Sequence, residues 1–265
     1  MFQPLYVAAT GLGAFEEELL NITNNLANSK TTAFKRGRTE MESLNYIPKS
    51  FKDELAQAMQ EQQGTGTVPE FGTGVRVAST PKDFTQGSLE TTSNPLDIAI
   101  QGNGFFQVKM PDGTFAYTRA GNLHADNEGN LVDPNGHMIE PSIILPSGTT
   151  AVSIRQDGTV FVSVDNSTSQ TEIGQINLVK FPNPVGLRSL GQNLYAASDS
   201  AGDPITGNAG DEGFGTIAQF SLESSNVDVI SEMMRMVMVQ RVFDTITKAV
   251  ASYDTMLGAL ERMKS

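Results

Sequence analysis

The chain has 265 residues, a formal net charge of −12 and no cysteine. This acidic balance argues against a nucleic-acid partner and against binding to an anionic membrane surface, because both need a basic face. The absence of cysteine excludes disulfides and cysteine-based metal or redox sites. No run approaches the roughly 18 apolar residues of a membrane span, and the N-terminal stretch lacks the basic start of an ordinary signal peptide. We therefore expect neither membrane insertion nor a cleaved leader.

The first segment predicts an amphipathic helix. Its apolar residues recur at spacings of three and four, which is the pattern of a helix that packs against other helices. Gly11 and Gly13 each weaken such a helix by about 1 kcal/mol relative to alanine, so we expect it to need a partner. The apolar seam of this helix comprises Leu5, Leu12, Phe15, Leu19, Ile22 and Leu26.

Residues 37–90 differ from the first segment in their sequence pattern. Residues 53–63 are compatible with a short helix, and residues 64–74 predict an extended Gly/Thr linker. Charge is also distributed unevenly, because residues 37–220 carry −11 of the net charge while both ends are nearly neutral. Near-neutral ends suit close packing, and the acidic middle suits a soluble, self-repelling surface.

The middle of the chain predicts β-structure. Asp112-Gly113 lies between two strand-like runs and is a strong hairpin signal. Frequent turns and the absence of a helical period are typical of a small antiparallel sheet or barrel. The strand candidates around these turns are residues 129–132, 151–154, 159–164 and 175–181.

The last segment repeats the helical pattern, with Asn226 or Asp228 as a possible cap. Its many methionines fit either a packed core or an adaptable contact surface, and we favour the contact surface because they flank and join the seam. The two terminal helices either pair within one chain or stay unpaired until subunits meet. The apolar seam of the second helix comprises Val239, Phe243, Ile246, Val250, Tyr253, Leu257 and Leu260.

No stretch of the chain has the signature of a chemical site. Gly102-Asn103-Gly104 lacks the third glycine of a dinucleotide loop. The stretch that begins at His124 lacks both the first Asp and the last Glu of a calcium-binding EF-hand loop. The aspartates mostly lie beside Gly or Asn, where turns favour them. We expect no catalytic, cofactor or metal site.

Three separate stretches resemble the axial proteins of the bacterial flagellum, the rod and hook family. They are NITNNLANSKTTAFKR at residues 21–36, NPLDIAIQGNGFFQV at residues 94–108 followed by YTRAGNL, and LESSNVD at residues 222–228. The family usually has Gly where this chain has Ala33, so a positive φ at this position would be strained here. The length and the insert at residues 44–72 are most similar to distal-rod members, and proximal-rod members are the alternative.

The resemblance implies a structural subunit that polymerises helically into a rigid shaft and transmits torque from motor to hook. It implies no cofactor. The implied partners are further copies of this chain, proximal rod proteins, the hook protein, the P- and L-ring proteins, the rod cap and the flagellar type III export apparatus. The implied location is the basal body, in the rod that spans the periplasm, which the chain reaches without a cleaved signal peptide.

The expected fold class is α+β, with terminal helices paired as a coiled coil, an extended linker/hairpin region and a central antiparallel β-rich domain. Residues 1–36 and 221–265 would form the inner helical domain, residues 37–90 the linker with a rod-specific insert, and residues 91–220 the outer β-rich domain. A secreted β-rich enzyme or binding module with helical tails is the alternative from a different class.

The stretch that follows the first helix, NNLANSKTTAFKR, ends that helix in small hydrogen-bonding residues rather than in a cap and turn. In a polymer such residues can satisfy their own backbone or that of a neighbour. We expect Asn25, Asn28, Phe34 and Lys35 to belong to an interface between subunits, with Lys35 and Arg36 reaching carboxylates or carbonyls of the adjacent copy. A solvated loop is the alternative.

Overall fold

The computed structural model describes residues 3–48, 70–164 and 170–264. Two long helices lie near the two ends of the chain, α1 (Gln3–Ala27) and α2 (Val229–Lys264), and a short 3₁₀ turn lies at Pro184–Gly186. The strands are β1 (Glu40–Ser43), β2 (Tyr46–Pro48), β3 (Glu70–Gly72), β4 (Val75–Ser79), β5 (Leu89–Thr91), β6 (Ile98–Gln101), β7 (Phe106–Lys109), β8 (Phe115–Thr118), β9 (His124–Ala125), β10 (Leu131–Val132), β11 (Met138–Glu140), β12 (Thr149–Ile154), β13 (Thr159–Val164), β14 (Thr171–Gln175), β15 (Asn177–Lys180), β16 (Arg188–Gly191), β17 (Leu194–Ala196), β18 (Ile205–Asn208), β19 (Thr216–Gln219) and β20 (Ser221–Glu223).

The predicted α+β class is confirmed, with a helix near each end and strands between them. The hairpin predicted at Asp112-Gly113 joins β7 to β8, and Gly113 has the positive φ of +83° that such a turn favours. The four strand candidates of the middle region coincide with β10, β12, β13 and the β14–β15 stretch. Neither helix, as far as its residues are described, is long and apolar enough to cross a membrane.

The chain divides into two compact units. The helical unit comprises Met1–Asn24, Gly37–Pro81 and Ile230–Ser265, and the β unit comprises Asn25–Arg36 and Lys82–Val229. The limits of these compact units differ from the domain boundaries predicted at residues 36, 90 and 220. Those boundaries describe functional domains and stay a prediction.

The β unit is built from antiparallel strand pairs around one main core. A seven-stranded sheet has the order β16-β17-β8-β7-β11-β10-β9, and a three-stranded sheet has the order β12-β13-β14. Shorter ladders join β15 to β18, β19 to β6 and β20 to β5. Apolar side chains of several strands enclose the core; those with no exposed surface include Ile98, Ile100, Phe106, Val108, Val160, Ile176 and Leu178.

A second, aromatic cluster lies within the β unit. Phe84, Phe105 and Tyr195 meet edge to face, with ring centroids 5.0 to 6.3 Å apart. Tyr117 and Phe181 extend the cluster with centroids 4.8 Å apart. Edge-to-face aromatic pairs add about 0.5–1.5 kcal/mol beyond the burial of their surfaces, so this cluster fixes the segment around Phe84 on the sheet.

In the helical unit the two helices run antiparallel and touch at two levels. Glu18 accepts a hydrogen bond from Arg235 at 3.4 Å. Seven residues earlier on α1, Gly11 lies against Ile246, which is eleven residues later on α2. The residue numbers therefore increase along α2 as they decrease along α1. A Cβ on Gly11 would lie 3.8 Å from Ile246, which is an ordinary van der Waals contact, so the packing here does not require a glycine.

An antiparallel ribbon accompanies α1 in the helical unit. β1 pairs with β4, and β2 pairs with β3. The ribbon touches α1 at Thr10, whose hydroxyl lies where a side chain on Gly74 would stand, and at Asn21, which donates to Thr39 at 2.9 Å. These two positions on α1 are about 16 Å apart at 1.5 Å per residue, so the ribbon is held at two separate points.

The ribbon corrects part of the predicted linker. Within the stretch predicted to be an extended linker, residues 70–72 form strand β3 and pair with β2. The pattern of Gly and Thr indicated the extended backbone but not its partner, because pairing depends on residues more than 20 positions away. The helix predicted for residues 53–63 lies outside the described residues.

Candidate assembly surface and buried joint

The seam predicted on the two helices is partly covered in the single chain. Ile22 on α1 and Val239 on α2 are buried, whereas Phe243 is exposed. The side chain of Leu260 lies outside the described residues. The remaining seam positions are half-buried: Leu5, Leu12, Phe15, Leu19, Leu26, Ile246, Val250, Tyr253 and Leu257.

Part of this seam opens into an apolar groove within the helical unit. The groove has a volume of about 510 Å³. Seam residues of both helices line it together with Val75 of the ribbon. Pairing of α1 with α2 therefore leaves apolar seam surface that the single chain does not fill.

A second apolar stripe on α2 is more exposed than the seam. Ile230, Met234, Val237 and Met238 recur at helical spacing, and at 100° per residue they lie on the side of α2 roughly opposite Val239. Met234 is 61% exposed and Met238 is 66% exposed. With neighbouring side chains of α2 they line a shallow groove of about 610 Å³. Met234 and Met238 thus belong to an open surface, which lies away from the seam that the sequence analysis had them join.

The stretch after α1 has a different environment, because it is bound into the β unit. Lys35 is fully buried, and its Nζ donates to the Oε1 of Glu223 and to the carbonyl of Thr85, both at 2.6 Å. On the other side of Glu223, the Nε of Arg119 donates to Oε2 at 2.8 Å. The backbone N–H of Gly87 also donates to Oε1, at 3.0 Å. We call Lys35, Glu223 and Arg119 the buried joint.

The joint brings together segments that are far apart in sequence. Lys35 follows α1, Glu223 ends β20 shortly before α2, and Arg119 follows β8. Arg119 also donates to the carbonyls of Gly102 and Gly104, at 3.0 and 2.9 Å. One carboxylate therefore connects the segments that follow α1 and precede α2 to the β7–β8 region.

Burial and neighbouring charges shift the pKa values of Glu223 and Lys35. Burial by itself raises the pKa of Glu223, but Arg119 and Lys35 together hold this pKa below its ordinary value. Burial lowers the pKa of Lys35, the like charge of Arg119 adds to this, and Glu223 offsets it only in part. One carboxylate is paired with two cations. Since burial lowers the pKa of Lys35, we regard this lysine as the cation in excess.

Asn226 provides a second connection at the joint. Its Oδ1 accepts from the backbone N–H of Arg36 at 2.8 Å, and its Nδ2 donates to the carbonyl of Asp83 at 2.8 Å. The guanidinium of Arg36 in turn lies 3.2 Å from the carboxylate of Asp83. Asn226 thus connects Arg36 to Asp83 beside the joint, whereas the sequence analysis named it as a candidate cap of α2.

Ala33 is the strained residue of this stretch. Its φ is +56°, in the left-handed region that favours glycine, and it is buried. Its N–H donates to the carbonyl of Glu223 at 2.7 Å, which fixes the residue in this conformation. The sequence left open whether this position is left-handed, helical or extended, and the structure shows that it is left-handed and therefore strained for alanine.

The structure changes the interpretation of four predicted interface residues. Lys35 reaches a carboxylate, but that of Glu223 in the same chain rather than one on an adjacent copy. Phe34 is buried beneath the ammonium of Lys82, and Asn25 is also buried. Asn28 accepts a hydrogen bond from Thr31 within its own segment, at 3.1 Å. The alternative of a solvated loop is wrong for Asn25, Phe34 and Lys35.

Sequence reasoning did not identify Glu223 and Arg119 as members of a site. Both lie inside stretches that carry the family resemblance, LESSNVD and YTRAGNL, and this was the available signal. His137 lies against Asp133, with 3.0 Å between Nδ1 and Oδ2, inside a turn. Within residues 3–48, 70–164 and 170–264 there is no group of three or more His, Asp or Glu side chains that could hold a metal ion.

Two models of known protein families match parts of this chain. Residues 99–162 match the model of the flagellar hook protein FlgE/F/G D1 domain, and residues 218–263 match that of the flagellar basal body rod FlgEFG protein C-terminal region. The flagellar basal-body rod protein FlgG of Buchnera aphidicola is 39% identical to this chain over an alignment of 266 positions. The alignment covers 99% of this chain and 100% of that protein. The chain belongs to the FlgG family of flagellar basal-body rod proteins.

Relatives from distant bacteria support the same membership. The FlgG protein of Borreliella burgdorferi is 35% identical over 100% of this chain and 99% of its own length. That of Bacillus subtilis is 33% identical over 100% of both chains. FlgG proteins are structural components of the flagellar basal body, so this chain is a structural protein and not an enzyme. The alternative of a secreted enzyme is thereby wrong.

Proposed function

We propose that this chain is a subunit of the distal rod and polymerises helically into a rigid shaft that transmits torque from the motor to the hook. In this proposal the two terminal helices pair as a coiled coil and line the inner tube, and the β unit faces outward. The observation that carries the proposal is the apolar stripe Ile230, Met234, Val237 and Met238, which the single chain leaves open.

An exposed apolar stripe of this kind favours a protein partner. Burying one large apolar side chain contributes about 1.5–3 kcal/mol, so several together give a substantial contact. Methionine adapts to differently shaped neighbours, which suits a helical polymer in which one helix meets several copies. Contacts between unlike surfaces that do not close into a ring generate such a filament.

Charge favours the helices as the place where copies meet. Residues 221–265 carry a net charge of only −1, and residues 1–36 carry none. Residues 37–220 carry −11, so their surfaces repel one another. Close packing of many copies therefore costs least at the helices.

The proposed interface keeps the seam residues of α1 and α2 and adds the methionine stripe. Asn25, Phe34 and Lys35 are assigned instead to buried positions within the chain, and of these Lys35 belongs to the buried joint. We further propose that the polymer meets proximal rod proteins at one end and the hook protein at the other. The P- and L-ring proteins would surround it in the periplasm, and the rod cap and the type III export apparatus would serve its assembly.

Replacing Met234 with Glu tests this interface. Met138 on β11 is a matched control, because it is 43% exposed and Met138→Glu makes the same change in charge. We expect both variants to keep their unfolding free energy within about 0.5 kcal/mol, as surface changes do. Sedimentation and electron microscopy should show that Met234→Glu fails to polymerise while Met138→Glu polymerises normally. Normal polymerisation of Met234→Glu would contradict the proposal.

Basal bodies from a strain that lacks this chain distinguish the distal from the proximal rod. A distal subunit predicts a short rod stub without a hook, visible by electron microscopy. A proximal subunit predicts the loss of the whole rod. An intact rod and hook would contradict both assignments.

A further inference from the structure

Phe220 occupies an unusual position in the β unit. β19 pairs with β6 and β20 pairs with β5, so the chain changes ladder at the single residue between β19 and β20. Phe220 has a φ of +57° there. A bulky side chain in the left-handed region is an outlier, because glycine or asparagine adopts this conformation more readily.

Hydrogen bonds hold this conformation on both sides. The carbonyl of Phe220 accepts from the backbone N–H of Thr92 at 2.8 Å. The preceding side chain, Gln219, donates to the carbonyls of Pro95 and Val152 at 2.7 and 3.0 Å. The backbone of Phe220 is therefore held in place on both sides of the ladder change.

The side chain of Phe220 is only partly covered by the rest of the chain. Phe220 is 42% exposed. Over the described ranges, its ring stacks on no other aromatic ring and lies under no cation. Strained residues persist where the strain serves a function. The functional group at this strained position is the partly exposed aromatic ring.

The surroundings of Phe220 favour a second copy of this chain as the neighbour. Residues 91–96 and 214–222 contain no charged residue, although residues 37–220 carry a net charge of −11. An uncharged patch is where two such acidic surfaces approach with least repulsion. Phe220 also lies in the matched segment 218–263, which includes the methionine stripe of α2.

We propose that Phe220 is an aromatic anchor that inserts into a neighbouring copy of this chain in the polymer. Aromatic side chains, phenylalanine included, are enriched in the core of protein interfaces. This inference rests on the proposed function, since it assigns a second contact to the same polymer.

Two substitutions of Phe220 distinguish the contribution of the aromatic ring from that of the strained backbone. Phe220→Gly removes the ring and the strain, and Phe220→Ala removes the ring but keeps the strain. We expect both to raise the protein concentration needed for polymerisation about tenfold or more. The melting temperature of Phe220→Gly should stay within about 3 °C of the parent, because relief of strain offsets the lost contacts.

Phe115 on β8 is the matched control, because it is 46% exposed and does not have a positive φ. Phe115→Ala should polymerise at the concentration of the parent. Normal polymerisation of both Phe220 variants would overturn the inference. A defect in Phe220→Gly alone would also overturn it, because the backbone rather than the ring would then matter.

A photoreactive benzophenone analogue of phenylalanine at position 220 identifies the neighbour in rods assembled in cells. The expected adduct contains two copies of this chain and has twice its mass of 28.4 kDa. An adduct with a different protein, or no adduct in assembled rods, would overturn the inference. The Met234→Glu test stays independent: its failure removes the proposed helical contact, whereas these outcomes concern Phe220 alone.

Discussion

The two units bury their apolar residues differently. In the β unit, the side chains of Phe106, Ile98 and Leu178 have no exposed surface. In the helical unit, Ile22 and Val239 are buried, but most seam residues are half-buried and the stripe around Met234 is open. Both units contain large apolar residues, so composition does not explain the difference. Antiparallel strand pairs close around a core, whereas two helices and a ribbon leave apolar faces uncovered.

This difference indicates a division of roles. The strands of the β unit pair with one another and enclose a buried core. We therefore expect this unit to keep its structure before and after assembly. The helical unit has apolar surface in excess of what its own elements cover, which is the condition for gaining stability on association. The buried joint belongs to the β unit, and the chain passes between the two units four times, after residues 24, 36, 81 and 229.

The largest expected effect compares two phenylalanines, one from each unit. Phe106→Ala removes a fully buried ring and should lower the free energy of unfolding by about 3–5 kcal/mol. Phe243→Ala, at a residue that is 41% exposed, should cost about 1 kcal/mol or less in the unassembled chain. Urea unfolding followed by circular dichroism measures both. Equal losses would show that the helical unit is as closed as the β unit.

A second expected effect concerns the buried joint. Glu223→Gln leaves Lys35 and Arg119 buried without a carboxylate and should cost about 3–5 kcal/mol. Lys35→Met leaves Glu223 paired with Arg119, and the carbonyl of Thr85 keeps its hydrogen bond from Asn226 at 3.1 Å. We therefore expect Lys35→Met to cost about 1 kcal/mol or less.

The same urea titration compares the two joint variants. A loss from Lys35→Met as large as that from Glu223→Gln would mean that the lysine is not the cation in excess. The joint would then depend on all three charges equally.

The smallest expected effect is a gain in stability at Ala33. Ala33→Gly relieves a left-handed alanine, worth about 1–2 kcal/mol, and loses about 0.5–1 kcal/mol to the greater freedom of glycine when unfolded. A net gain of about 0.5–1 kcal/mol should appear as a higher melting temperature. Ala116→Gly, at a buried alanine in β8, should lower the melting temperature. A loss in both variants would contradict the strain at Ala33.

Much of the fold could be predicted because local patterns carry it. The spacing of apolar residues predicted α1 and α2, and Asp112-Gly113 predicted the β7–β8 hairpin. Both signals depend on residues within one or two turns of each other. The pairing of β2 with β3 could not be predicted in this way, because its two strands are separated by more than 20 residues. That the methionines of α2 form a contact surface stays a prediction, and the structure adds that Met234 and Met238 are exposed.

The sequence by itself determined the two terminal helices, the β-rich middle, the uneven charge and the membership in an axial flagellar family. These follow from short-range periodicity, turn chemistry and motifs that lie continuously along the chain. Only the tertiary structure decided that Lys35 meets Glu223 across 188 positions and that Arg119 meets it across 104. It also decided that Ala33 and Phe220 have a positive φ. Such features depend on which distant backbone groups are brought together by folding, and no local pattern of residues specifies that.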